Sequence, residues 1–321
     1  MKFELPRATC NRKSAKRAFL FLVVTASVIG TLARAHYRLL SDEVVSSNCP
    51  DGGQTVTFAQ IGNHGRLGNQ LFQIAATIGI AEVSGAKWAF PVSISTTAAG
   101  RLFELRGKKD LSSNYTELLE GSQLFHQIKL PDSECLVSLH GYYQSRKYFE
   151  LSHESLKQHL KLPVDKVQYV RQQIDTLGSD GTVAFHIRRG DYTMPPFNEL
   201  YNLLTPDYYI RAFSKFENVA RVIIATNDRQ WCEENLEGKL AVPVIYSPFD
   251  DEILDFILLH LSKNIVIANS SFSWWAAFLR HIHRLPYRIV APSSWYKTDG
   301  DLAHLNGNDF VLHSWIRLPN D

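Results

Sequence analysis

The chain has 321 residues, 45% of them hydrophobic and 12% aromatic, enough for one large core or two medium ones. Its 34 basic and 32 acidic residues leave a formal charge of +2, so no global basic field marks a nucleic-acid binder. The charge is unevenly spread, and the N-terminus carries the imbalance.

Residues 1–17 hold Lys2, Arg7, Arg12, Lys13, Lys16 and Arg17 against Glu4 alone. The uncharged run from Ala18 to Ala33 follows; as a helix it would span roughly 24 Å. That falls short of a hydrocarbon core of ~30 Å, a gap narrowed by snorkelling of Arg17 and Arg34 and by a thin early-secretory bilayer. Positive charge ahead of the span keeps the N-terminus cytosolic. The expected order is a cytosolic tail (1–17), a transmembrane signal anchor (18–35) and a polar stem (36–54). A cleavable signal peptide is the rival, because Ala33-Arg34-Ala35 has the small-x-small form of a cleavage site. Either reading puts the remainder in an oxidising compartment. There Cys49, Cys135 and Cys232 allow one disulfide and a leftover thiol, without fixing the pair. No two cysteines lie at zinc-ligand spacing, and no metal site is expected. Asn114-Tyr115-Thr116 is a glycosylation sequon in a polar stretch; Asn269-Ser270-Ser271 also matches but follows an apolar strand, where it should be inaccessible.

From Thr55 onward, strand-like runs alternate with helical ones. Strands are expected at 55–61, 135–139, 182–187, 221–225, 244–246, 264–268 and 288–290. Helices are expected at 69–83, within 151–176, and at 206–216, 229–236, 250–262 and 273–283. The alternation implies an α/β architecture with largely parallel sheets, in two Rossmann-like halves (55–170 and 171–321) around a cleft.

Ligands of such sheets bind at the carboxyl ends of strands. One such segment runs from Gly62 to Phe72; its glycines bring backbone close to a ligand, Arg66 supplies charge and Asn69 with Gln70 neutral amides, although a glycine-rich turn that merely caps a helix would read the same way. Its spacing is neither a dinucleotide fingerprint nor a P-loop. A second is His186-Ile187-Arg188-Arg189-Gly190-Asp191, at the end of an apolar strand. Paired guanidiniums there suit a pyrophosphate, although an ordinary surface turn would read the same way. A third is Asn269-Ser270-Ser271-Phe272-Ser273, where hydroxyls and N–H groups at a helix N-terminus could hold an anion or merely cap the helix. Asp228, after the strand at 221–225, could accept hydrogen bonds from a guanine edge or N-cap the helix that follows.

Four segments together resemble the α-1,2-fucosyltransferases, glycosyltransferase family 11: Gly65-Arg66-Leu67-Gly68-Asn69-Gln70-Leu71-Phe72, the His186–Tyr192 segment, Asn227-Asp228-Arg229-Gln230-Trp231-Cys232 and Ser271-Phe272-Ser273-Trp274-Trp275-Ala276-Ala277. Gly141-Tyr142-Tyr143-Gln144-Ser145 looks like a further shared block. The resemblance runs from about residue 55 to 296, with the motifs in order. It implies a GT-B-like fold and transfer of fucose from GDP-β-L-fucose to a galactose 2-hydroxyl of a glycan, with inversion and no divalent metal. It also implies a single-pass type II protein of the Golgi membrane, its catalytic domain lumenal. By position, Arg188 resembles the arginine that holds the donor β-phosphate. Arg189, Arg66 and Ser271 or Ser273 would assist, and His186 and Asp228 would hold the nucleoside. Asn69 would line the reacting centre. Asp191 is the first candidate for the base, with Glu199 and His64 as alternatives and bracing of the arginines as its other role. Another acceptor, such as protein O-fucosylation, and a catalytically silent sugar-nucleotide binder remain as rival functions. The acceptor and the oligomeric state are left open.

Overall fold

Alternation of buried apolar strands with helices produces two parallel sheets, and their order decides where a ligand can bind. The computed structural model describes Cys49 and residues 52–105, 107–110, 114–122, 124–178, 181–305 and 310–321. The expected tail, anchor at 18–35 and most of the stem lie outside these residues. Among the described residues no helix is long and apolar enough to cross a membrane.

The first sheet contains β1 (Thr55–Thr57) and β2 (Lys87–Trp88). A side ladder pairs β3 (Phe90–Pro91) with β4 (Lys108–Lys109). The sheet is completed by β5 (Thr116–Leu119) and β6 (Leu136–His140), in the order β2-β1-β6-β5, all parallel. The second sheet comprises β7 (Thr182–Ile187), β8 (Arg221–Thr226), β9 (Val244–Tyr246), β10 (Asn264–Val266), β11 (Arg288–Pro292) and β12 (Ile316–Leu318). Its order, β12-β11-β10-β7-β8-β9, is that of a doubly wound sheet and is again wholly parallel. β7 is buried along nearly its whole length because helices cover both faces, hence its unbroken apolar run.

The α/β class follows the expected alternation. The pattern does not reveal the two-residue strands β2, β3 and β4, nor β5 and β12, whose sequences Thr-Glu-Leu-Leu and Ile-Arg-Leu carry no unbroken apolar run. The boundary expected at 170/171 falls inside the helix Val164–Leu177, which packs against the helix Glu252–Leu261. Residues Asn48–Asp321 form one compact unit.

One core joins the two sheets. The helix Leu67–Val83 is buried on almost every side, as its run of Leu, Ile, Ala and Gly dictates, and it packs on the helix Ser271–Ile282. Phe72 is the centre of that contact, with ring centroids 4.8 Å from Trp274, 5.2 Å from Trp275 and 6.1 Å from Phe149. Truncating it to Ala would cost about 3–5 kcal/mol. Gly79 admits the next segment, since a Cβ there would lie 2.7 Å from Phe149 Cα. Cys49 and Cys135 form the disulfide that sequence left open, with Cα atoms 5.3 Å apart, and Cys232 is a free, buried thiol.

Candidate functional site

In the larger sheet the chain leaves β7 and β10 in opposite directions although the two strands are adjacent. The crevice outside their carboxyl ends is where doubly wound sheets bind ligands. Arg188 begins the loop after β7, and Ser270-Ser271 end the loop after β10. In the smaller sheet the adjacent strands β1 and β6 lead into the Gly62–Arg66 loop and the Gly141–Ser145 loop. The four loops open on one cleft of about 530 Å³, lined among others by Arg66, Asn69, Gln144, Arg188, Asp191 and Ser271. Gln73, wholly buried, ties the two N-terminal loops together by donating to the carbonyls of His64 (3.2 Å) and Gly141 (3.1 Å).

The two arginines part company at the end of β7, where successive side chains point to opposite faces. Arg188 enters the cleft with 17% of its side chain exposed; its Nη2 donates to Asp191 Oδ2 at 2.7 Å. Its Nε and the other Asp191 oxygen are buried without a hydrogen-bond partner. Arg189 lies outside the cleft lining, 4.2 Å over the Trp231 ring, with Nε 3.4 Å from Asp228 Oδ2. Asp228 is therefore engaged twice: its Oδ1 also accepts from the Trp231 N–H at 3.2 Å, the N-cap of the helix Arg229–Asn235. The local reading as a cap is the geometry observed, and Asp228 does not line the cleft.

Asn69 holds the two halves of the cleft together. Its Oδ1 accepts from Gln144 Nε2 at 2.7 Å and from Ser271 Oγ at 2.8 Å. That contact needs Gly68, because a Cβ there would lie 2.5 Å from Phe272 N and 2.5 Å from Ser271 Oγ. Two helix N-termini thus meet at the cleft. Neither Leu67–Val83 nor Ser271–Ile282 has a side-chain cap or an acidic residue in its first turn. The helices Pro206–Phe213, Arg229–Asn235 and Glu252–Leu261 are capped by Thr205, Asp228 and Asp251. Uncapped N-termini facing a cleft offer partial positive charge and N–H donors to an anion. Arg66, exposed on the same rim, makes no ion pair among the described residues.

His186 and Ser273 lie behind this surface rather than in it. Ser273 is fully buried, and its Oγ meets His186 Nδ1 at 2.8 Å. Burial, with Arg188 nearby, pushes the His186 imidazole down to about 3, so the ring is neutral. Helix periodicity explains the split between the serines: Ser271 sits at the first position, lining the cleft, while Ser273, two residues on, turns toward His186 of β7. Of the alternative bases, His64 packs edge-on against His140 (4.9 Å), and Glu199 is exposed on the short helix Phe197–Leu200; neither lines the cleft. Asn114 is exposed, whereas Asn269 is fully buried with its Nδ2 donating to the carbonyls of Asn202 (2.7 Å) and Trp295 (2.8 Å). Among the described residues no group of three or more His, Cys, Asp or Glu is placed to hold a metal ion.

The structure adds residues that sequence reasoning gave no role. Tyr192 and Tyr201 stack at 4.2 Å, Tyr201 and Tyr296 at 5.3 Å, and Arg188 rests 5.5 Å from the Tyr192 ring centroid. Glu120, Tyr142 and Gln144, from the loops of the smaller sheet, also line the cleft. The Gly141–Ser145 block pointed to Tyr142 and Gln144 without a role; nothing in sequence pointed to Glu120, which directly follows the unrecognised strand β5.

Residues 104–316 match the model of glycosyl transferase family 11. The chain is 32% identical over 142 residues to the O-antigen biosynthesis glycosyltransferase WbnK of Escherichia coli, covering 43% of this chain and 44% of that protein. It is 28% identical over 198 residues to an alpha-1,2-colitosyltransferase of Escherichia coli, covering 57% and 62%. With galactoside alpha-(1,2)-fucosyltransferase 1 of Leontopithecus chrysomelas it shares 26% identity over 259 residues, covering 73% and 69%. The matches span less than two thirds of the length of the first two relatives.

Proposed function

The chain belongs to glycosyl transferase family 11, and on that premise we propose that it is a GDP-fucose-dependent α-1,2-fucosyltransferase acting on galactose-terminated glycans. The observation that carries this reading is the convergence of Arg188, Arg66 and two uncapped helix N-termini on one cleft. A nucleoside diphosphate sugar leaves its pyrophosphate behind when the sugar departs, and negative charge grows on that group in the transition state. Fixed guanidinium and N–H donors aimed at it are the electrostatic catalyst. Arg188, braced by Asp191 and lining the cleft, is the guanidinium this reading assigns to that charge, and the reading calls on no divalent metal. The names of two relatives carry an α-1,2 linkage, which supports the same linkage here. Inversion requires the acceptor to approach from the face opposite GDP, where the first sheet supplies the wall.

In the same proposal residues 18–35 anchor the protein in the Golgi membrane with Asn114 on the lumenal side. The full chain, expressed in cells and solubilised, should transfer fucose from GDP-fucose to lactose and form an α-linkage to the galactose 2-hydroxyl, read by product NMR. Binding of GDP-fucose without turnover would sink the reading, and fucose at another hydroxyl would sink its linkage. Loss of Asn114-linked glycan after glycosidase treatment of the cellular protein checks the topology.

A further inference from the structure

Among the described residues three carboxylates line the cleft: Glu120, Asp191 and Glu252. Asp191 is bound to Arg188 on the wall that would receive the leaving group. Glu252 is exposed at the start of its helix, 4.0 Å from Arg101. Glu120 differs from both. It directly follows β5 of the first sheet, and each of its oxygens accepts one backbone N–H, from Tyr142 at 2.7 Å and from Tyr143 at 3.0 Å. The turn that provides these donors is costly. Tyr143 sits at φ +50, in the left-handed region, and is held there by its wholly buried ring and by an OH bond to the Leu118 carbonyl at 3.1 Å. Backbone strain stabilised by its surroundings is a mark of a functional position. One residue further on, Gln144 reaches Asn69, which links Glu120 through a short bonded path to the helix termini across the cleft.

The surroundings of Glu120 suit a sugar. Tyr142 is 41% exposed beside it, and the Tyr296 hydroxyl donates to Gln144 Oε1 at 3.4 Å. An aromatic ring packs against the C–H face of a pyranose, while a fixed carboxylate takes its hydroxyl protons, the usual division between apolar lining and few polar anchors. Burial raises the Glu120 carboxyl above its usual range, against the two N–H bonds and nearby His126, which act to lower it. A proton affinity moved toward neutrality is what a base requires.

We propose that Glu120 is the acceptor-binding carboxylate and general base of this cleft, with the exposed Tyr142 ring as the platform for the acceptor sugar. The proposal rests on the fucosyl-transfer reading for its chemical step. In that step the acceptor O–H proton passes to a Glu120 oxygen. The electron pair it leaves forms the bond from acceptor oxygen to the anomeric carbon. The bond from that carbon to the β-phosphate oxygen breaks, and its pair stays on GDP against Arg188. Glu120 follows a strand of the smaller sheet and Arg188 a strand of the larger one, so base and leaving-group partner come from different parts of the cleft lining.

The test uses the full chain and two readouts: fucose transfer from GDP-fucose to lactose, and lactose binding by saturation-transfer NMR in the presence of GDP. Glu120→Gln should lower kcat by about 10²–10⁴ and weaken the lactose signal, with GDP affinity within threefold of wild type. Glu120→Asp keeps a carboxylate for the turn but withdraws it by one methylene, and should lose at least tenfold in kcat at unchanged GDP affinity. Wild-type transfer retained within a few-fold in both variants overturns the proposal, as does loss of GDP affinity in parallel with kcat, which is the pattern of a purely structural cap. A wild type that binds lactose in a Glu120-dependent way yet transfers nothing would overturn the fucosyl-transfer reading and the base role, while keeping the sugar subsite. A wild type that transfers fucose but whose lactose signal is unchanged in both variants would overturn the subsite alone.

Discussion

Arg188 and Asp191 are joined side chain to side chain, Nη2 to Oδ2 at 2.7 Å, on the loop that leaves β7 at the point where the larger sheet reverses its order. The pair fixes the guanidinium plane at the cleft. Arg188→Ala should therefore cost about 3 kcal/mol or more of transition-state stabilisation, a loss of at least roughly a hundredfold in kcat/KM. Asp191→Asn keeps the shape and removes the charge. Its expected cost is about 1.5 kcal/mol, roughly tenfold, shared between donor KM and kcat. Steady-state kinetics with GDP-fucose decide this, and a near-normal Arg188→Ala enzyme would exclude the arginine from the chemistry.

Asn69 is the single acceptor for donors from both sides of the cleft. Asn69→Leu removes both bonds and leaves Gln144 Nε2 and Ser271 Oγ without a partner. About 1–3 kcal/mol of stability should be lost, most of it from unmet donors. Gln144→Ala and Ser271→Ala act on the same atom, so their double-mutant cycle should show coupling on the order of 0.5 kcal/mol or more. Strict additivity in denaturant melts would contradict the shared bridge.

The Cys49–Cys135 bond closes a loop with a sequence separation of 86 and ties the start of β1 to that of β6, where Thr55 N–H also bonds the Cys135 carbonyl at 2.9 Å. Loop closure of this size stabilises the fold by about 2–5 kcal/mol. Cys135→Ser should lower Tm by several degrees and make the protein indifferent to mild reductant. Cys232→Ser should leave the reductant response intact, since that thiol is unpaired.

His186 and His260 are buried, and each is pushed down to about 3. Folded, they stay neutral; unfolded, they take up a proton below about 6.5, so stability falls as pH drops through the window from about 6.5 to 3. At pH 5 each histidine would cost about 2 kcal/mol. Asp255, pushed up to about 6 by burial, acts in the opposite sense between that value and its unfolded 3.8, and Glu120, also raised by burial, acts the same way. Burial likewise lowers His153, His281 and His283, so among the described residues the histidines outnumber the carboxylates. Thermal melts should show Tm lower at pH 5 than at pH 7.5, and His260→Gln should reduce the difference. A Tm that does not change across this range would refute the assignment.

Much was legible because it is local. Strand β7 announces itself by an apolar run with no polar interruption, and the helix after β10 by its serines followed by Trp274, Trp275 and Phe278, which are indeed core. The motif loops around Arg66, Arg188 and Ser271 could be placed at strand ends because alternating strands and helices already imply where loops bind ligands. The disulfide partner could not be read, since pairing depends on which strands become neighbours.

What sequence alone determined is therefore the α/β alternation, the glycosyl transferase family 11 motifs and the residues able to meet a phosphate. Only the tertiary structure decided which of those residues meet in one place. It sent Arg188 into the cleft and Arg189 to Trp231, because adjacent residues at a strand end face opposite sides. It turned Ser271 toward Asn69 and buried Ser273 against His186. It also brought Glu120, after a strand whose sequence carries no apolar run, to the cleft that Arg188 lines. Side-chain direction and long-range pairing set those outcomes, and neither is written in the spacing of residues along the chain.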